Sequence, residues 1–370
     1  MKILVVGGLA PWHPQAGGGE LVAHKLAEAL ARAGHAVSYL STSAEGSSLG
    51  QTLPGFPHIA QRAGECWPSA FLHSLKGDHL ARYDIIHVHA GSRTLAFYLG
   101  CVVRRYVKRD VKLALTIHSP KVHAFPRSVD EVGWMLGCRA ADVILAVSEF
   151  SSRDIARCYR VNQAKIEVVY NGVDTELFVP RMTQHRTGRH VPTLIFCGRL
   201  NGTKQKGLEV LLDAMPLISQ KHDVVLDVIG VGPRMGEYKT QAKLLNIDDR
   251  VRFPGFVKHD VLAEHYGRAN LLVLPSRRES FGLVAAEAMA CGLPVVATTV
   301  GAIPEVVEDG VTGLLVPADD PQALAGAINY LLSQPSTMEA MGKKGRQRVL
   351  EYFTWAKVAE RVDAGYQRAL

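Results

Sequence analysis

No apolar run in this sequence approaches the roughly 20 residues needed to span a bilayer, which excludes a membrane helix as its organising element. Six cysteines, Cys66, Cys101, Cys138, Cys158, Cys197 and Cys291, are scattered without paired spacing. That pattern indicates neither a zinc site nor a disulfide framework, and a reducing compartment, the cytoplasm, is expected. There is no P-loop, no Asp-x-Asp pair, no internal repeat and no low-complexity tract. The glycines of VVGGLAPWHPQAGGGE do not fall as G-x-G-x-x-G opening a helix, so a nicotinamide site is not expected. No metal and no cofactor are indicated. ILVVGGLA runs into Pro11 and Pro14 without a small-residue cleavage pattern and reads as a buried first strand rather than a signal peptide. The net charge of +7 comes without a known binding motif or interleaved aromatic and basic residues, so nucleic acid is not an expected partner.

What is present is the composition of a globular enzyme: 370 residues, 47% apolar and 21% charged, too long for one comfortable core. Strand-length apolar runs recur at Ile3–Val6, Val37–Leu40, Ile85–Val88, Leu113–Ile117, Val143–Val147 and Ile166–Tyr170. Helical patterns lie between several of them. The clearest is Glu20–Ala33, with Val22, Leu26, Ala29, Leu30 and Ala33 on one face and Gly34 as its stop. A polar, basic stretch over 180–192 reads as a linker. The alternation then restarts at Thr193–Cys197, Val224–Ile229, Val251–Phe253, Leu271–Leu274, Pro294–Ala297 and Leu314–Val316. Continuous apolar strands with helical crossovers predict parallel sheets covered on both faces, an α/β fold with two doubly wound halves. The expected domains are residues 1–180 and 190–352, with a terminal helix over 353–370. Ligands of such sheets bind at the carboxyl ends of the strands.

The most informative segment is ESFGLVAAEAMACGLPVVAT, Glu279 to Thr298. Two carboxylates, Glu279 and Glu287, flank a small-residue turn, Ser280-Phe281-Gly282, that opens a helix. Eight residues of unbroken helix would separate them by about 12 Å, the reach of a ribose and diphosphate plus a sugar. The free amides and positive dipole end of a helix start suit a diphosphate, and carboxylates on either side can accept hydrogen bonds from sugar hydroxyls. A bare Glu-x7-Glu would read as an amphipathic helix with solvated ends; the residues between the carboxylates argue otherwise.

This segment resembles the signature of the retaining glycosyltransferases of family 4, which have the GT-B fold. GGGELVAHKLAEALARAGHAV (Gly17 to Val37), TIHSP around His118, YNGVDTELF (Tyr170 to Phe178), FCGRL around Arg199 and GAIPEVV (Gly301 to Val307) follow in the family's order. The resemblance covers most of the chain except residues 42–82. It implies two Rossmann-like domains facing a central cleft, the first for the acceptor and the second for a nucleotide-sugar donor, with the terminal helix crossing back to the first.

The resemblance also implies roles. Arg199 and Lys206 would hold the diphosphate, although GRLNGTKQKG is longer than the family's usual spacing and Lys204 is the rival lysine. Glu279 would hold a donor-sugar hydroxyl and Glu287 the ribose. Gly17 and Gly18 would let backbone approach the donor, Val257 would offer backbone to the base, and Ser280, Phe281, Gly282 and Leu283 would complete the donor loop. His118 would orient sugar hydroxyls or steady developing positive charge; His87 and His89 read as buried strand residues. The implied activity is metal-independent, retaining transfer of a hexose from a UDP-sugar or GDP-mannose to a hydroxyl of a small molecule, glycan or lipid-linked acceptor. The alternatives are a GT-B-fold nucleotide-sugar epimerase and a non-catalytic sugar-nucleotide-binding protein.

Two segments are less determined. Arg104, Arg105, Lys108, Arg109 and Lys112 crowd a helix end with apolar neighbours; 104–112 reads either as a peripheral contact with the inner membrane face or as a solvated helix terminus. Residues 42–82, with Phe56, Trp67 and Phe71, lie where the first domain would meet its acceptor.

Overall fold

The structure is a computed structural model that describes residues 1–9, 18–43, 58–60, 80–90, 94–108, 111–118, 129–180, 191–200 and 203–370. The chain forms two units: Met1–Gly172 with Trp355–Leu370, and Val173–Thr354.

In the first unit, β1 (Lys2–Leu9), β2 (Ala36–Ser43), β3 (His58–Ala60), β4 (Ile85–His89), β5 (Lys112–Ile117), β6 (Val143–Ala146) and β7 (Ile166–Val168) form a parallel sheet in the order β3-β2-β1-β4-β5-β6-β7. Helices α1 (Gly18–Arg32), α2 (Leu95–Lys108), α3 (Val129–Ala140) and α4 (Glu149–Tyr159) connect the strands. The strands are apolar without alternation because both faces are covered. Leu4 and Val6 join a core with Tyr98 of α2, Cys138 of α3 and Ile155 of α4. Ile3 and Val5 join another with Leu26 and Leu30 of α1 and with Val362 and Tyr366 of the C-terminal helix (Trp355–Ala369). That helix therefore completes one face of the first sheet.

In the second unit, β8 (Thr193–Cys197), β9 (Val225–Ile229), β10 (Val251–Gly255), β11 (Leu271–Leu274), β12 (Val295–Thr298) and β13 (Gly313–Val316) form a parallel sheet in the order β10-β9-β8-β11-β12-β13. Its helices are α5 (Leu208–Ser219), α6 (Met235–Leu244), α7 (His259–Arg268), α8 (Leu283–Ala290), α9 (Ile303–Val306), α10 (Pro321–Leu332) and α11 (Pro335–Tyr352). The chain winds outward from β8 to β10, then returns to place β11 on the other side of β8, with Leu271 beside Leu194 and Leu272 beside Ile195. The first sheet reverses in the same way between β1 and β4, with Ile3 beside Ile85. Crossovers that leave in opposite directions open a crevice at the carboxyl ends of the two central strands.

Each predicted apolar run lies on a strand. Strand β3 was not expected; at three residues it is too short to show a pattern. Residues 181–190 of the predicted linker, and Phe56, Trp67 and Phe71, lie outside the described residues.

The C-terminal helix is held by more than apolar contact: the fully buried Tyr366 hydroxyl lies 2.6 Å from His87 Nδ1. Tyr366→Phe, which loses only this bond, should lower stability by about 1 kcal/mol, and Tyr366→Ala by about 3–5 kcal/mol. Urea unfolding of the two variants measures both; equal losses would show that the ring itself contributes nothing.

Candidate active site

In the second unit Arg199, Lys206 and Glu279 lie on the segments that follow β8 and β11, the strands of the reversal point. Arg199 stands just beyond β8, exposed, with no side-chain partner among the described residues. Lys206 closes the same loop, and its Nζ forms an ion pair with Glu279 Oε1. Ser276, fully buried just after β11, donates from Oγ to that same carboxylate oxygen at 3.0 Å. The main chain of Glu279 is also fixed, since its carbonyl accepts from Ala302 N–H at 3.0 Å. This close approach requires Gly301: its φ is +57°, and a Cβ there would stand 2.1 Å from the Glu279 carbonyl oxygen.

The turn that follows leads into α8. Gly282 takes the N-cap position at φ +94°, a left-handed conformation that disfavours a side chain, and no side chain caps the helix. The amides of Leu283 and Val284 consequently have no acceptor among the described residues, so two donors and the positive end of the helix are open to an anion. Phe281 is buried edge-on against Phe353, ring centroids 5.5 Å apart, which pins the turn. The sequence spacing suggested eight helical residues between the carboxylates. The helix instead begins at Leu283, so only the stretch up to Glu287, about 6 Å of rise, is helical and the rest is turn.

Glu287 is buried at 5% exposure, with His259 Nε2 3.6 Å from its Oε1. Its charge is felt by its neighbours. Burial, and then Glu287, push the Cys197 thiol up to about 12, so that thiol is no nucleophile near neutrality. Val257 lies half-buried between β10 and α7, two residues before His259. Lys204 is exposed, at φ +50°, with no ion pair among the described residues.

The first unit carries a column of three imidazoles along β4 and at the end of β5. His118, at the end of β5, approaches His89 Nδ1 with its Nε2 at 2.9 Å, one nitrogen donating and the other accepting. The rings stack with centroids 5.1 Å apart, and His89 in turn stacks on His87 at 4.7 Å. His87 is anchored by Tyr366 and, through Nε2, by Thr116 Oγ1 at 2.7 Å. Burial pushes the His118 pKa down to about 4. Burial and then the neighbouring His118 push His87 down to about 3, and burial and both partners hold His89 well below its usual value. All three are neutral near pH 7, so His118 presents a dipole rather than a cation. His89 was read as a buried strand residue; its direct contact with His118 was missed because strand alternation says nothing about what the next strand brings alongside. Gly18 is the first residue of α1, and Gly17 lies outside the described residues.

The basic run at the end of α2 is engaged within the unit. Arg104 is buried; Arg105 donates to the Ala140 carbonyl and to Asp142 Oδ1, each at 2.7 Å. Lys112 lies 3.7 Å from the same Asp142 oxygen, and Arg109 lies outside the described residues. Among the described residues no helix is long and apolar enough to cross a membrane.

Comparison with known proteins agrees with this geometry. Residues 16–177 match the family described as Glycosyltransferase Family 4, and residues 191–334 that described as Glycosyl transferases group 1. The D-inositol 3-phosphate glycosyltransferase of Kribbella flavida is 34% identical over 78% of this chain and 72% of its own length. The N-acetyl-alpha-D-glucosaminyl L-malate synthase of Bacillus anthracis is 27% identical over 97% of this chain and 96% of its own. Among solved structures, the sucrose-phosphate synthase of Thermosynechococcus elongatus superposes with a TM-score of 0.80 at 26% identity, covering 99% of this chain and 98% of that one. Anabaena HepE in complex with UDP and glucose reaches 0.80 at 21% identity over 98% of both chains, a likeness of fold.

The imidazole column has a consequence for stability. An unfolded histidine binds a proton near pH 6.5, whereas His87 and His118 resist protonation until about 3 and 4. The unfolded state thus binds more protons between these values, and stability rises with pH across that window. Unfolding free energy should fall steadily from pH 6.5 to pH 4, and the slope should shrink by about one proton in His118→Gln. A slope unchanged by that substitution would mean that His118 titrates normally in the folded protein.

Proposed function

The chain belongs to glycosyltransferase family 4, and we propose that it transfers a hexose from a nucleoside diphosphate to a hydroxyl acceptor with retention of configuration at the anomeric carbon. It is a glycosyltransferase of the GT-B fold; the donor, the stereochemistry and the residue roles are our reading. The observation that carries it is the Lys206–Glu279 pair, with the uncapped start of α8 and with Arg199, which has no side-chain partner among the described residues.

Breaking a sugar–phosphate bond builds negative charge on the leaving diphosphate while the sugar turns cation-like. Preorganised cations beside that diphosphate lower the barrier without reorganising during the reaction. Arg199 and Lys206 supply them in this reading, with the Leu283 and Val284 amides, so no metal is required. The planar guanidinium of Arg199 can bridge two phosphate oxygens. Arrival of the diphosphate gives Lys206 a second anion to share, and the Glu279 carboxylate accepts from a donor-sugar hydroxyl beside it. Glu287 accepts from the ribose, and the main chain at Val257 meets the base. Ser280, Phe281, Gly282 and Leu283 shape the donor loop, and backbone at Gly17 and Gly18 approaches the donor. Neutral His118 orients a sugar hydroxyl.

Glu279 is committed to Lys206 and Ser276, which suits a binding role rather than attack on the anomeric carbon. The leaving phosphate then deprotonates the acceptor on the same face, and the configuration is kept. Uridine donors are the first to test because HepE was captured with UDP and glucose. The named relatives act on an inositol phosphate or form a malate glycoside, so a small hydroxylated anion is the first acceptor class to try. The free thiols of Cys101, Cys138, Cys158, Cys197 and Cys291 suit a reducing compartment such as the cytoplasm.

Three measurements bear on these roles. Glu279→Ala should cut turnover by a factor on the order of 100 or more while UDP or GDP still binds; unchanged turnover would remove Glu279 from the site. Arg199→Ala should weaken binding of the nucleoside diphosphate far more than that of the nucleoside, with activity surviving excess EDTA, whereas strict Mg²⁺ dependence would defeat the claim of protein-supplied cations. Proton NMR of the first product formed should show the donor's anomeric configuration, and an inverted product would exclude the same-face mechanism.

A further inference from the structure

Lys206 reaches Glu279 from the end of an irregular loop, and one side chain fastens that loop to the turn carrying Glu279. Arg277, two residues before Glu279, donates its main-chain N–H to the Gln205 carbonyl at 2.7 Å. Its Nη1 donates to the Lys204 carbonyl and to Glu209 Oε1, each at 2.6 Å. Its Nε donates to Asp319 Oδ1 at 2.7 Å, with Nη2 2.6 Å from the same oxygen. Lys204 at φ +50° and Asp319 at φ +60° both hold left-handed backbone without being glycine, a conformation that persists only where its surroundings enforce it. Glu209, on the first turn of α5, is largely buried, and its other oxygen has no partner among the described residues; Arg277 is the cation that balances it. A single guanidinium thus ties together the loop before α5, the first turn of α5, the segment before α10 and the turn after β11.

We propose that Arg277 is a positioning residue for Lys206: by binding the Lys204 and Gln205 carbonyls to the turn before Glu279, it fixes where the Lys206 ammonium stands and makes Lys206, rather than Lys204, the lysine that serves the donor diphosphate. This rests on the proposed reading of Lys206 as a diphosphate ligand. The Lys206 ammonium sits on a flexible four-carbon stem, so its place depends on where its main chain is held. A displacement of about 1 Å in such a group is enough to change rates up to about a hundredfold.

The test is a double-mutant cycle on the full chain, read as calorimetric affinity for UDP and GDP. Arg277→Met should weaken nucleoside diphosphate binding tenfold or more in the native background and less than twofold in Lys206→Ala, because a positioning residue has nothing left to position there. Asp319→Asn, which loosens the clamp from its exposed side without stranding a buried charge, should weaken binding a few-fold in the native background alone, and this arm decides the matter if Arg277→Met does not fold. Lys204→Ala should leave affinity unchanged. Equal losses from the clamp substitutions in both backgrounds, or no loss in either, would overturn the positioning role while a large effect of Lys206→Ala keeps the diphosphate reading. If Lys206→Ala itself leaves affinity unchanged, that reading falls and the positioning role with it.

Discussion

The carboxylate of Glu279 is the point on which the second unit's site depends. It is held by the Lys206 ammonium and the buried Ser276 hydroxyl, while the main-chain carbonyl of the same residue accepts from the Ala302 amide. A largely buried carboxylate without such partners would be costly to keep ionised. With them it becomes a fixed acceptor beside a cation that an incoming anion can share. Everything nearby serves that arrangement. Gly301 lets the β12–α9 segment come close enough to grip the turn, Phe281 packs the turn down, and Gly282 directs the chain into α8 with its first amides open.

The placement of this carboxylate follows from topology. Parallel strands require crossovers, and crossovers leaving in opposite directions from β8 and β11 leave the space beyond both strands free of connecting chain. Arg199 follows one of these strands and Glu279 the other. In the first unit His89 ends β4, beside the reversal, and His118 ends the neighbouring β5, where burial above all keeps both neutral. The two units thus offer opposite chemistry: a charged, exchangeable cluster in one, a neutral imidazole column in the other.

Much of this was legible in the sequence. Strands such as Leu271–Leu274 and Val143–Val147 are read from unbroken apolar runs because burial on both faces leaves no other composition. Glu279, Glu287 and Arg199 stood out through the resemblance to family 4, since two carboxylates eight residues apart would by themselves read as the solvated ends of a helix. What escaped depends on contacts between distant segments. Arg277 was not singled out, although it binds carbonyls and carboxylates from three other stretches of chain. His89 looked like core, and β3 was too short to see. The turn Ser280-Phe281-Gly282 opening the helix was read from its small residues, and the helix does start at Leu283, so the helical rise applies only to the part after Gly282.

The central claim is that the crevice at the carboxyl ends of β8 and β11 receives a diphosphate. Amide hydrogen exchange of the full chain with and without saturating UDP or GDP tests it directly. The amides of Leu283 and Val284 and the segment from Gly198 to Leu200 should become protected, because the former gain acceptors and the latter becomes ordered around Arg199. Protection confined to the first unit, or a diphosphate that binds without slowing exchange at Leu283 and Val284, would contradict it.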